Sequence, residues 1–445
     1  MGVFDRIFGA NDINNNDQPD IRFGRYSDSY KTKEQYDVWD SALEKFDKND
    51  YLGAYMDFFY YLKDEKEDNV NWREEEGVLH FEILQGSRKI TGLVDHSKIR
   101  VEAKIAKVNH LHVNFLNRLI SQNFDLEYSR FALDKDNCIV IVFDSFLLDG
   151  SPYKFYYAIR ELAINADKQD DLLLDEFEGL TPIEIEHRID FSEAEKEVKY
   201  QFIKAKIQET FEIVDSGSLN VNQYPGGITY LLLDLVYRLD FLIKPEGFMM
   251  ETLERINRLY FSNDKKTTQE KNVMIRKELK SLIDRPKAEF FKEMYRVRTT
   301  FGITKPINLQ RIRGIIEGEL PHMDWYKEND HQSIAKAIPG YIVGNCLFNY
   351  AVPKVVLDLF KMYFMVMEPD YFDQLGFKNQ YFDSESDKFS ARKIKKEIRD
   401  IVQANKQLYY ALHPDIGLLK FTSKLDFAKS FLIMIKEMEL TSVNA

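Results

Sequence analysis

The spacing of apolar residues changes once along this chain, near residue 180. Before that point several short runs place an apolar side chain at every second position, which is the period of a β-strand with one buried face. The clearest run has four apolar positions with charged residues between them: Ile99, Val101, Ala103 and Ile105. Beyond residue 190 the apolar residues recur every three or four positions, which is the period of an amphipathic helix. The sequence therefore predicts an α+β N-terminal domain followed by an all-α domain.

The predicted N-terminal domain covers residues 33–180. Helical spacing runs from Lys33 to Leu62 in two short helices, and strand patterns follow on both sides of a turn at residues 85–87. The predicted order is two helices, three strands, a helix, two strands and a closing helix. Strands joined by such short connections pair antiparallel. Because the clearest strand is charged on one side, we predict an antiparallel sheet with helices on one face.

The second predicted domain covers residues 191–445 and is almost entirely helical. Ser192 and Glu195 have the spacing of a capping box at the start of its first helix. The helix after Pro225 is apolar on two sides, which predicts a place at the centre of a bundle. Further helices are predicted at residues 247–260, 268–283, 287–297, 308–317, 353–367, 390–403 and 425–438. They have no fixed repeat period, so a solenoid is not predicted.

Two polar segments mark the ends of the N-terminal domain. Residues 10–33 are rich in turn formers, which predicts that residues 1–32 form a flexible tether. Residues 179–190 contain the pair Thr181-Pro182 and form the predicted boundary between the two domains.

Charge is distributed unevenly between the two predicted domains. The whole chain of 445 residues has 61 basic and 73 acidic residues, a net charge of −12. Residues 1–190 have 38 acidic and 23 basic residues, a net charge of −15, so the rest of the chain has a net charge of +3. An acidic protein is repelled by nucleic acid phosphates, so no nucleic acid partner is expected.

The sequence predicts a cytoplasmic protein without a membrane span. Its two cysteines, Cys138 and Cys346, are far apart and do not form a disulfide framework. The N-terminus lacks the apolar run of a signal peptide. The longest uncharged stretch, residues 337–353, contains Pro339 and two glycines and is shorter than the roughly 20 apolar residues of a spanning helix.

Sequence motifs for catalysis and cofactor binding are absent. The chain has no phosphate-binding G-x-x-x-x-G-K-[ST], no G-x-G-x-x-G after a strand and no G-x-S-x-G. Ser151 and Lys154 match S-x-x-K, but a serine before Pro152 is an ordinary start of a helix. The sequence therefore predicts no catalytic residue and no cofactor.

The densest group of metal-ligand residue types lies between His322 and His331. It includes the carboxylates Asp324, Glu328 and Asp330. The segment has no cysteine and no H-E-x-x-H, so it is predicted to be a solvated polar loop and no metal site is predicted.

An aromatic segment in the helical domain has two interpretations. Its residues have irregular spacing and are Tyr371, Phe372, Phe377, Tyr381 and Phe382. Such a segment fills a core, or it forms an exposed patch that binds a partner. Both interpretations remain open from the sequence.

The N-terminal domain resembles the YbjN-like family, which is similar in fold to the class I type III secretion chaperones. The segments that carry the resemblance are residues 99–108, 115–119, 123–124, 131–134 and 161–167. The resemblance covers residues 33–180 and implies a twisted antiparallel sheet, a role in binding other proteins or in regulation, and no catalytic residues. Residues 191–445 resemble no family.

These observations lead to two functional hypotheses. The first is a non-enzymatic, chaperone-like or regulatory protein that binds a protein partner through an apolar surface or a sheet edge. A homodimer is one arrangement that this hypothesis allows. The alternative is an enzyme or small-ligand sensor with a pocket in the helical domain or between the domains.

Overall fold

An antiparallel sheet with helices and a separate helical region make up the protein, as the change in periodicity predicts. The computed structural model describes residues 18–110, 113–184, 187–216, 219–378 and 380–442. They divide into two units. The α+β unit consists of residues 26–191 and 294–303, and the rest forms the helical unit.

The α+β unit is built on an antiparallel sheet. Its elements are α1 (Lys33–Asp47), α2 (Tyr51–Leu62), β1 (Val70–Glu75), β2 (Val78–Gln85), β3 (Arg88–Val94), β4 (Lys98–Val108), α3 (Val113–Asp125), β5 (Arg130–Leu133), β6 (Cys138–Phe146), α4 (Pro152–Glu176), β7 (Leu180–Pro182), β8 (Ile189–Asp190) and β9 (Tyr295–Arg296). The strand order is β1-β2-β3-β4-β6-β5, and every neighbouring pair is antiparallel. The short strand β7 pairs with the end of β4, and β8 and β9 pair with each other.

The core of this unit lies on one face of the sheet. Val101 of β4 and Ile141 of β6 are buried against helices α2, α3 and α4, and α4 contributes Phe155. On the other face, Arg100 and Glu102 of β4 form an ion pair of 3.5 Å. The alternation that predicted β4 therefore separates a buried face from a charged one.

The sheet has two strands that the sequence analysis did not predict, β1 and the short β7. Strand β1 precedes the three predicted strands and pairs only with β2 among the described residues. Only Val70 is buried in it, and its sequence includes Arg73, Glu74 and Glu75. An edge strand with little buried surface has no alternating apolar pattern from which it could be predicted.

The segment 294–303 lies in the α+β unit, although it begins more than 100 residues beyond the predicted boundary at residues 179–190. Phe301 is fully buried in the core beside the sheet. The backbone N–H of Phe301 donates to Gln85 Oε1 at 2.9 Å, and Gln85 Nε2 donates to the Phe301 carbonyl at 3.2 Å. Thr300 Oγ1 donates to the Leu84 carbonyl at 2.8 Å. The helix predicted at residues 287–297 ends early, at Lys292, because Tyr295 and Arg296 pair with β8 as strand β9.

The helical unit contains eleven of the helices in the described residues and several two-stranded pairs. Its elements are α5 (Glu193–Asp215), α6 (Pro225–Ile243), α7 (Gly247–Phe261), α8 (Thr268–Asp284), α9 (Lys287–Lys292), β10 (Lys305–Pro306), α10 (Leu309–Glu328), α11 (Gln332–Asn349), β11 (Tyr350–Ala351), α12 (Lys354–Met367), α13 (Pro369–Gln374), β12 (Phe382–Asp383), β13 (Lys388–Phe389), α14 (Ala391–Asn405), β14 (Tyr409–His413), α15 (Lys424–Glu437) and β15 (Glu439–Ser442).

Helix α6 lies at the centre of this unit, as its two apolar sides predict, and is buried over most of its length. It packs against α11, a buried helix that the sequence analysis did not predict because Pro339 and two glycines interrupt its pattern. Those glycines permit the close approach of the two helices. A Cβ at Gly344 would lie 2.5 Å from the Cβ of Tyr237, which is shorter than any normal contact.

The predicted capping box at the start of α5 forms only in part. Ser192 Oγ accepts a hydrogen bond from the backbone N–H of Glu195 at 3.1 Å. The carboxylate of Glu195 pairs with Lys199 Nζ at 2.9 Å. Lys199 is completely buried, so the Glu195 carboxylate neutralises a buried cation and does not complete the capping box.

Part of the predicted tether packs in the helical unit. Residues 1–17 lie outside the described residues, whereas residues 18–25 belong to this unit. Gly24, with φ of +70°, donates its N–H to the Phe241 carbonyl at 2.8 Å. Arg25 Nη2 donates to Asp240 Oδ1 at 2.8 Å, and the Arg25 guanidinium lies 3.8 Å from the ring centre of Phe348. Arg25 is therefore held by the buried carboxylate of Asp240 and the ring of Phe348.

Among the helices of the described residues, none combines the length and the apolar composition that crossing a bilayer requires.

Candidate functional site

The five aromatic residues singled out in the sequence are buried in the helical unit. Their exposed fractions lie between 2% and 6% for Tyr371, Phe372, Phe377, Tyr381 and Phe382. Tyr371 donates its hydroxyl to the Leu242 carbonyl at 2.9 Å, and the ring of Phe372 lies 5.1 Å from that of Phe23. The structure therefore corrects the interpretation as an exposed patch, because these side chains pack in the core.

The segment from His322 to His331 is not the predicted loop over most of its length, because α10 continues to Glu328. His322 is near the end of α10, and its Nδ1 is 2.7 Å from the hydroxyl of Tyr230, which also donates to Glu319. His331 precedes α11 and packs on the ring of Tyr224. In the part of the chain that the structure describes, no three His, Cys, Asp or Glu residues come together as a metal site would need.

Ser151, the residue of the S-x-x-K match, has a structural role. Its hydroxyl accepts a hydrogen bond from the backbone N–H of Lys154 at 3.3 Å at the start of α4. This is the N-cap interaction that a serine before a proline predicts.

One helix of the α+β unit has apolar side chains on two opposite sides. Phe115 and Leu119 of α3 are buried in the core. On its outer side lie four large apolar residues with spacings of three, four and four, which we call the α3 face. Their exposed fractions are 73%, 39%, 66% and 91% for Val113, Leu116, Ile120 and Phe124.

The α3 face contrasts with the charge of its unit. Residues 26–191 and 294–303 contain 34 acidic and 22 basic residues, a net charge of −12. Helix α3 contains only two charged residues, Arg118 and Asp125. Large apolar side chains and few charges are the composition of the core of protein–protein interfaces. Sequence periodicity alone could not reveal this face, because it does not show which side of α3 is buried.

The sheet edges are less open than the α3 face. On β5, the backbone N–H of Phe131 donates to Asn123 Oδ1 at 2.6 Å, and Asn123 Nδ2 donates to the Phe131 carbonyl at 3.2 Å. Asn123 of α3 thereby bonds the backbone N–H and carbonyl of Phe131, which an added strand would otherwise use. The edge at β1 carries Arg73, Glu74 and Glu75, and charged residues disfavour strand addition.

A second candidate site is a cavity of about 660 Å³ within the helical unit. Residues of α5, α6, α11, α12 and α15 line it. The exposed residues Glu209, Lys336 and Asp387 lie in the outer part of its lining, and the buried residues Leu231 and Tyr363 lie in the inner part. Its volume is in the range of small-molecule sites.

The inner part of the cavity contains a network of charged groups. Asp234 and Arg238 of α6 form an ion pair through Asp234 Oδ2. Arg238 Nη1 is 2.7 Å from Glu368 Oε1, and Glu368 Oε2 is 3.1 Å from Lys206 Nζ. Burial raises the pKa of Asp234 to about 6, although Arg238 opposes this change. The network therefore holds a carboxylate that is costly to ionise.

The sequence contains one sign of this network. Asp234 and Arg238 are four residues apart on a helix that is otherwise strongly apolar, and a charged pair at that spacing shares one helix side. Glu368 is 130 residues from Arg238, so only the tertiary structure shows that it completes the network.

No protein-family model matches the chain, and no curated protein matches it. The function must be inferred from the α3 face and the cavity.

Proposed function

We propose that this protein is a non-enzymatic, chaperone-like or regulatory protein that binds a partner protein on the α3 face. The observation that carries the proposal is the exposure of four large apolar side chains on one side of a helix whose other side is in the core. Burying one such side chain contributes about 1.5 to 3 kcal/mol. Because the side chains of the α3 face are exposed in the free chain, a partner that covers them would gain this free energy on binding.

The geometry of the α3 face defines the kind of partner. Its residues lie on one helix side at spacings of three and four, which fits the apolar side of another helix. The covered Phe131 and the charged β1 edge argue against an added strand. The resemblance of residues 33–180 to the YbjN-like family and the class I type III secretion chaperones supports a role in binding proteins.

Site-specific photo-cross-linking tests the proposal. A benzophenone amino acid at Phe124 in the cell of origin is expected to give one dominant covalent product with a protein. The same amino acid at Tyr60, which is also exposed but lies on α2, is the matched control and should give no such product. A product of twice the chain mass would identify a second copy as the partner. If the yield at Phe124 does not exceed that at Tyr60, the proposal is wrong.

A further inference from the structure

Helices α1 and α4 carry a group of exposed tyrosines that is separate from the α3 face. Tyr36 of α1 is 41% exposed, and Tyr153 and Tyr157 of α4 are 54% and 52% exposed. Residues four apart lie on the same side of a helix, so Tyr153 and Tyr157 adjoin each other on α4. The opposite side of α4 carries Phe155 and Ile159 into the core. The three tyrosines therefore lie on the outer surface of the α+β unit.

Trp39 of α1 joins these tyrosines into one surface. Its ring centre is 5.1 Å from that of Tyr153 and 4.8 Å from that of Tyr61 on α2. The ring of Tyr61 lies 6.4 Å from that of Tyr36. The planes of these neighbouring rings are inclined by 50° to 81° and are not stacked in parallel. We call this continuous group the aromatic surface, and its residues are Tyr36, Trp39, Tyr61, Tyr153 and Tyr157.

The polar ends of this surface have no partner within the described residues. Neither the indole N–H of Trp39 nor the hydroxyls of Tyr36, Tyr153 and Tyr157 bond to another described group. Trp39 is half-buried, and its indole N–H is not enclosed by the described residues. An indole N–H only donates, whereas a tyrosine hydroxyl donates and accepts. The surface therefore offers both apolar rings and hydrogen-bond donors, a combination that is enriched at protein interfaces.

The residues beside the aromatic surface are acidic. Helix α1 contains five acidic and two basic residues, and both basic residues are already in ion pairs. Asp40 lies one turn after Tyr36 on the same side of α1 and is exposed. It forms no ion pair within the described part of the chain. Charge complementarity therefore requires a partner with a positive charge beside the part that covers the rings.

The backbone of the partner distinguishes between three conformations. The aromatic surface lies on helices, so it has no strand edge with which an extended β-segment could pair. The backbone carbonyls of a helical partner are bonded within that helix and are not available to Trp39. A polyproline II segment has no internal hydrogen bonds, so its carbonyls are available, and its prolines pack on aromatic rings. Polyproline II is the conformation that matches both the rings and the donors.

We propose that the aromatic surface binds a proline-rich segment of a partner protein in the polyproline II conformation. The Trp39 N–H donates to a backbone carbonyl of this segment, and Asp40 pairs with a lysine or arginine that flanks the prolines. None of these residues belongs to the α3 face, so the site is independent of partner binding there.

Calorimetric titration of the purified full chain tests this site. The probe is a peptide of one arginine followed by nine prolines, and its match has glycine in place of every proline. We expect saturable binding of the proline peptide with a Kd of about 1 mM or below, and binding of the glycine peptide that is at least about tenfold weaker. The absence of saturable binding, or equal binding of both peptides, would overturn the proposal. Saturable binding of maltoheptaose without binding of the proline peptide would assign the rings to a carbohydrate and would overturn it as well.

Two variants and a control locate the binding. Trp39→Phe keeps an aromatic ring but removes the N–H, so it should weaken binding by about threefold to tenfold. Trp325→Phe makes the same change at an exposed tryptophan of the helical unit and should leave the affinity unchanged. Asp40→Asn should weaken binding by about threefold, but it should not affect a peptide that has alanine in place of the arginine. Unchanged affinity in either Trp39→Phe or Asp40→Asn, with a native thermal unfolding transition, contradicts the site.

Discussion

At the scale of single residues, Asp234 is a carboxyl group that is only 4% exposed to water. Burial raises the pKa of Asp234 to about 6 in the folded chain, above its ordinary value of 3.8. The folded state thus holds the proton more tightly than the unfolded state does. The stability that the protonated Asp234 contributes to the folded state is fully present below its ordinary pKa of 3.8 and is lost as the pH rises through about 6.

This linkage predicts a pH-dependent effect of Asp234→Asn. The variant resembles the protonated side chain and does not ionise, so it avoids the loss. We expect the unfolding free energy of the variant minus that of the native chain to increase by about 2 to 3 kcal/mol between about pH 4 and about pH 7. Urea unfolding at several pH values measures the difference between the two proteins. A difference that stays constant over this range would show that Asp234 does not titrate as described.

At the scale of elements, helix α3 and the segment 294–303 have opposite relations to the core. The segment buries Phe301 completely, although it is remote in sequence from the sheet. Helix α3 exposes Phe124 almost entirely, although it lies between two strands of the sheet in the chain. Sequence distance from the sheet therefore does not predict which aromatic residue stabilises it.

A matched pair of substitutions tests these relations. Phe301→Ala should lower the unfolding free energy by about 3 to 5 kcal/mol, because it leaves a cavity in the core. Phe124→Ala should change it by no more than about 0.5 kcal/mol, because the side chain is already in water. Denaturant unfolding of both variants provides the comparison. A large loss for Phe124→Ala would show that the α3 face belongs to the fold and not to a binding surface.

At the scale of the whole molecule, the chain passes between its two units four times, after residues 25, 191, 293 and 303. The division also separates the charge. The α+β unit carries the full net charge of −12, and the helical unit has 39 acidic and 39 basic residues and is neutral. The acidity that disfavours nucleic acid binding is therefore a property of the α+β unit.

The discontinuous α+β unit predicts that residues 26–191 alone are incomplete. A fragment of these residues should gain thermal stability when a peptide of residues 294–303 is added, and the midpoint should rise with peptide concentration. The peptide with Phe301→Ala is the control and should have a much smaller effect. Equal midpoints with both peptides, measured by circular dichroism, would contradict the role of this segment in the core.

The sequence shows the fold class because its signals are local. A period of two at residues 99–105 and a period near 3.6 beyond residue 190 each follow from neighbouring residues, and both are confirmed. The caps at Ser151 and Ser192 are local in the same way. Strand β1 and helix α11 escaped prediction because an exposed edge and a glycine-lined helix have no such pattern.

The sequence by itself determined that an α+β region precedes a helical one and that the acidity belongs to the first region. Only the tertiary structure decided that residues 18–25 and 294–303 join units from which they are distant in the chain. It also decided that the aromatic residues near 371 are buried, that the α3 face is exposed and that Asp234 meets Glu368 in a cavity. The physical reason is that periodicity depends on neighbours along the chain, whereas the pairing of Glu368 with Arg238 and the burial of Phe301 beside Gln85 join residues 130 and 216 positions apart.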